Sequence, residues 1–130
     1  MVTILVVEDE EFELLRYEKT LTDEGYRVLS ARDGFEALDM IKQHHPDLVV
    51  LDIKLPGIDG IETLGKIIDE QLNVPIVIHT AFSVWRENFR TRFADAYVMK
   101  SKDMIELKTK ISEILKSIGK LNRKKGGATG

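Results

Sequence analysis

Five polar residues stand where apolar runs of this chain give out: Glu8 and Asp9 after the run 2–7, Asp52 after 48–51, Thr80 after 75–79 and Lys100 after 96–99. A carboxylate at the exit of a buried strand is placed to act as a nucleophile or as a metal ligand, because ligands of open parallel sheets gather at the carboxyl ends of the strands. Asp is also common at strand exits and helix starts, where its side chain satisfies backbone amides, so Asp52 taken alone leaves both readings open. Three carboxylates in one hollow repel one another and raise each other's pKa unless a cation joins them. Oxygen-only donors in a chain without cysteine point to Mg²⁺ or Mn²⁺ rather than zinc.

These side chains meet only if their strands are parallel and neighbouring. Leu48, Val49, Val50 and Leu51 form an unbroken apolar run, the mark of a strand covered on both faces. Pro56-Gly57 and Asp59-Gly60 then stop it and open a helix. Further strands are expected at 2–7, 26–31, 75–80 and 96–100. Between them, residues at helical spacing form five helices. Phe12, Leu14, Leu15, Tyr17 and Leu21 form the first, closed by Gly25 as a left-handed cap. Phe35, Leu38 and Ile41 line the second, behind an Asp33 cap with Glu36 three residues on. Ile61, Leu64, Ile68 and Leu72 form the inward stripe of the third, behind Asp59 and Glu62. Trp85, Phe89 and Phe93 mark a short fourth, and Met104, Leu107, Ile111, Ile114 and Ile118 a long fifth. Strands and helices alternating through short connections demand right-handed crossovers, giving a doubly wound α/β fold with a five-stranded parallel sheet and five helices on both faces.

At 130 residues the chain is long enough for one cored domain, expected over 1–119, with a basic tail over 120–130 that lacks any core pattern. A net charge of -3 and 32% charged residues give no sign of a nucleic-acid binder. The absence of cysteine excludes disulfides and thiol nucleophiles. No apolar run approaches the roughly 18 residues that span a bilayer, and no leader pattern opens the chain, so a cytoplasmic protein with no membrane contact is expected.

In order and spacing, Glu8-Asp9, Asp52 with Leu55-Pro56-Gly57, Thr80, Tyr97 and Lys100 make the chain resemble the receiver domains of two-component response regulators over nearly its whole length. The resemblance implies a flavodoxin-like strand order 2-1-3-4-5. It implies that Asp52 accepts a phosphoryl group from a histidine kinase, a phosphorelay protein or a small phosphodonor, forming an acyl phosphate. Asp9 and Asp52 are then the metal-binding carboxylates, joined by the Lys54 backbone carbonyl and by Glu8, directly or through water. Glu8 stands where Asp is commoner in the family, and Ser101 where Pro is usual after the lysine. Lys100 would neutralise charge that spreads over the phosphoryl oxygens. Thr80 and Tyr97 would be the switch pair: the hydroxyl moves toward the new phosphoryl group and the ring turns into the vacated space. That change remodels the surface of the fourth helix, fifth strand and fifth helix, which also allows a homodimer. Lys54 and Phe82 flank the pocket and would tune hydrolysis. The chain is thus a signalling receiver, not an enzyme. It either works through protein contacts alone or is the front of a longer regulator.

Other classes fit less well. A flavin-binding relative would need a Ser/Thr/Gly-rich phosphate loop after the first strand, where this chain has Glu8-Asp9-Glu10-Glu11. An aspartyl-phosphate hydrolase generally carries a second acid two residues past its nucleophile, where this chain has Lys54. His44 and His45 suit a helix C-terminus, and His79, on a buried strand, reads as packing.

Overall fold

A computed structural model describes residues 1–81 and 93–121. The expected strands appear as β1 (Thr3–Val7), β2 (Arg27–Ala31), β3 (Leu48–Leu51), β4 (Ile76–Thr80) and β5 (Ala96–Met99), all parallel, in the order β2-β1-β3-β4-β5. Helices α1 (Glu11–Asp23), α2 (Gly34–His44), α3 (Gly60–Asp69) and α4 (Ile105–Ser117) complete the described elements. The expectation of five helices is corrected to four among the described residues. The fourth of the five was read from Trp85, Phe89 and Phe93; the first two lie outside the described residues, as does Phe82, and Phe93 is exposed. The expected fifth helix is therefore α4 here.

Side-chain alternation divides the core into two layers. Leu5, Val7, Val49, Leu51, Ile76 and Ile78 face α2 and α3, while Ile4, Val6, Leu48, Val50, Val77 and Val98 face α1 and α4. Helix starts follow the expected caps: Asp33 accepts from the Glu36 amide and Asp59 from the Glu62 amide, each at 2.8 Å. Glu10, not singled out above, caps α1 by accepting from the Glu13 amide. Gly25, at φ 92°, takes the left-handed turn after α1, and His45, at φ 47°, does the same after α2.

Phe12, Leu15, Phe35 and Ile118, expected on helix inner faces, are not there. Phe12 is 78% exposed, and Leu15 and Phe35 also face solvent. Tyr17 and Leu21 carry the buried stripe of α1, and Ala37, Leu38 and Ile41 that of α2. In α3, Ile67 is buried while Ile68 is half-buried; in α4, Leu115 is buried while Ile118 is exposed. A run of apolar residues at i, i+1, i+3 and i+4 supports two adjacent stripes, and only the tilt of the helix on the sheet selects one.

At the amino edge of the sheet, Asp47 accepts from the Thr3 amide at 2.8 Å and pairs with Lys120 at 3.0 Å. Asp95 accepts in the same way from the Ile76 amide, so each acid stands just before one strand and fastens the start of its neighbour in the sheet. Lys120 and Leu121 were expected in the tail; here Lys120 also donates its amide to Leu115, and Leu121 packs on the α1/α4 layer. Residues 122–130 lie outside the described residues.

Candidate functional site

Register brings the chemistry-bearing residues together. Val7 pairs with Leu51, and Leu51 with Ile78, so one step further Glu8, Asp52 and His79 form a row across β1, β3 and β4. All three continue the side-chain parity of Val6, Val50 and Val77, as Lys100 continues that of Val98, and therefore point toward α1 and α4. Glu8 and Asp52 are buried, and Lys100 is one-fifth exposed, with a side-chain accessibility of 20%.

The Lys100 ammonium sits between the two carboxylates, 2.9 Å from Glu8 Oε1 and 3.1 Å from Asp52 Oδ2. Their remaining oxygens are also engaged: Glu8 Oε2 accepts from the Glu10 amide at 3.1 Å and Asp52 Oδ1 from the Ile53 amide at 2.7 Å. Burial pushes the Glu8 carboxyl above its ordinary range, and the Lys100 ammonium pulls it back only in part. For Lys100 the balance reverses. Burial works to lower its pKa, but the bond to Glu8 and the charges of Asp52 and Glu8 outweigh it and hold the ammonium charged. The difference follows from depth, since Glu8 is nearly sealed and Lys100 keeps some water.

Above the row lies an open hollow of about 430 Å³ lined by Glu8, Asp9, Glu10, Glu13, Asp52, Lys54, Leu55, Pro56, Ala81 and Lys100. Asp9 stands exposed on its rim. Five carboxylates face two ammonium groups, an excess of negative charge that a hard divalent cation would offset. The donors are all oxygens, so their chemistry fits such an ion. Among the described residues no three acids or imidazoles stand close enough together to enclose one, and Glu8 and Asp52 are both bonded to Lys100.

Thr80 is fully buried at the end of β4, and its carbonyl accepts from the Lys100 amide at 2.8 Å. Tyr97 pairs in register with Ile78 and is half-buried on the α2/α3 face, the face to which alternation also turns Thr80. Among the described residues no peptide bond is cis, so Lys100-Ser101 is trans.

Two further residues escaped the sequence reading. Gly60 packs so closely on the strand exit that a Cβ there would lie 2.1 Å from the Asp52 carbonyl oxygen and 2.7 Å from the Ile53 Cα. Its amide donates to the Ile53 carbonyl at 2.7 Å. The Asp-Gly pair was legible as a turn, but the need for glycine is this close approach. A Gly60→Ala chain is expected to lose about 2 kcal/mol of stability through overpacking against main chain, as read from urea unfolding. An unchanged midpoint would show that the loop yields freely. The second is His79, which is more than packing: the Tyr17 hydroxyl lies 2.5 Å from its Nδ1, with the rings edge-on at 73°.

A family model described as the response regulator receiver domain matches residues 4–112. The polar-differentiation response regulator DivK of Brucella ovis is 32% identical over 102 residues, covering 75% of this chain and 83% of DivK. Among solved structures, the response regulator TrrA of Thermotoga maritima, crystallised with Mg²⁺-BeF, superposes with a TM-score of 0.85 at 39% identity, covering 88% of this chain and all of TrrA. TrrA in complex with the histidine kinase ThkA gives a TM-score of 0.82 at 39% identity, covering 88% of this chain and 99% of that one.

Proposed function

Because this chain belongs to the response regulator receiver domain family, we propose that it is a phosphorylation-controlled signalling receiver whose acceptor is Asp52. The observation that carries this reading is the Lys100 ammonium held 3.1 Å from a buried carboxylate at a strand exit, facing an open hollow. An oxygen of Asp52 attacks the phosphorus of a kinase phosphohistidine. A new O–P bond forms, the N–P bond breaks, and the departing imidazole keeps the electron pair. The donor follows the precedent of TrrA, which is known in complex with a histidine kinase.

The protein's part is positioning and charge. Lys100 is already beside the oxygen that becomes phosphorylated and needs no large movement to meet the incoming phosphoryl oxygens. Glu8 holds the other side of that ammonium and fixes where it stands. Asp9, Asp52, the Lys54 main-chain carbonyl and Glu8, directly or through water, would hold Mg²⁺, the ion present in the TrrA structure. When bound, the ion supplies positive charge to the transferred group and offsets the acids of the hollow. Thr80 and Tyr97, on one face of neighbouring strands, relay the added charge to the surface of β5 and α4. That surface is where a partner or a second copy would dock, with no nucleic-acid contact by the domain itself.

Intact-mass measurement after incubation with acetyl phosphate and Mg²⁺ tests the proposal. The expected gain is one phosphoryl group, mapped to Asp52 by borohydride reduction and peptide sequencing, and absent when a chelator replaces the metal. A chain that gains no mass, or gains it elsewhere, sinks the reading.

A further inference from the structure

The Tyr17–His79 contact lies outside the machinery just described yet belongs to the same row. His79 falls beside Asp52 in register, with its side chain on the same face of the sheet. Tyr17 reaches it from two turns inside α1, the helix that follows the acidic loop. Both residues are almost fully buried, and their rings meet edge to face with centroids 5.5 Å apart. Burial keeps the Tyr17 phenol protonated, and burial with the nearby Lys100 charge holds His79 neutral, down to about 4, so the two uncharged groups share one hydrogen bond between the phenol oxygen and Nδ1. An apolar pair would have filled this space without the cost of satisfying two polar atoms.

We propose that Tyr17 and His79 are positioning residues that close the underside of the Asp52 site, binding α1 to the end of β4 and keeping water out of the row beside the acyl phosphate. This rests on Asp52 being the acceptor. A buried nitrogen or hydroxyl that loses its partner draws in water or forces the packing apart. Water admitted here stands next to Asp52, where it can hydrolyse the phosphoryl group or loosen the Thr80 end of β4. Removing both polar groups leaves nothing to hydrate, so the double replacement behaves differently from either single one.

The test is the lifetime of phosphoryl-Asp52 in the wild type, Tyr17→Phe, His79→Leu and the double variant, each at a temperature where it is folded by circular dichroism. Each single change is expected to shorten the lifetime about fivefold, the scale of one net hydrogen bond, and the double variant to return toward the wild-type value. Single variants with wild-type lifetimes, or a double variant whose loss is the sum of the two, overturn the proposal. A second measurement needs no variant: in the wild type the proton shared between the Tyr17 hydroxyl and His79 Nδ1 should give a slowly exchanging NMR resonance, and its absence also overturns the proposal. If the wild type never carries a phosphoryl group, the functional reading fails and this inference with it. Normal phosphorylation with unaltered lifetimes removes the inference alone.

Discussion

A Lys100→Met chain is expected to be about 3 kcal/mol less stable than the wild type at pH 7. Breaking a buried ion pair by removing one partner leaves an uncompensated charge, typically a loss of 3–5 kcal/mol. Here two buried carboxylates lose one shared ammonium, and the remaining access to water keeps the loss at the low end of that range. The deficit should depend on pH in a definite direction. Glu8 has a folded pKa raised above its ordinary value by burial, so its ionised form works against folding. The stability tied to its neutral form is complete below the unfolded value and is lost as pH rises through the folded one. Without Lys100 that folded value rises further, so the deficit is largest near neutrality and shrinks as pH falls into the carboxylate range. Urea unfolding of both proteins from pH 4 to pH 8 measures it. A constant difference across the series would mean that the methionine costs packing rather than charge.

The second large effect belongs to His79. Its folded pKa is lowered from the ordinary 6.5 to about 4, chiefly by burial and then by the Lys100 charge. The unfolded chain therefore takes up a proton near pH 6.5 that the folded chain refuses until about pH 4. Stability from this group is fully present above 6.5 and is lost progressively as pH falls through that window, to a total of about 3 kcal/mol. In a Tyr17→Phe, His79→Leu chain, which titrates at neither position, that slope should vanish between pH 6.5 and pH 4. The same slope persisting there would place the titrating group elsewhere.

The sheet and most of the site were legible in the sequence because both rest on local signals. Continuous or nearly continuous apolar runs marked β1, β3, β4 and β5, with β2 a shorter mixed stretch between helices, and the two Asp caps with their following Glu residues marked where α2 and α3 begin. Once the strands are parallel, the convergence of Glu8, Asp52 and Lys100 follows from where each run ends. What could not be read depends on contacts between distant elements. Phe12, Leu15 and Phe35 fit the helical period as well as their buried neighbours do, and only the packed sheet separates them. The Tyr17–His79 bond joins residues 62 apart in sequence, with no local pattern to announce it. Gly60 reads in the sequence as a turn glycine, and only the Asp52 carbonyl packed against it makes glycine necessary.

The staple at Asp47 bears on how this protein can be handled. One carboxylate gathers the main chain of the first strand and the side chain of Lys120, just past the last helix, at the edge of the sheet away from the hollow. A fluorophore, an affinity handle or a surface linker joined near Met1 therefore sits behind the molecule. An immobilised chain would still present its acidic mouth to solution.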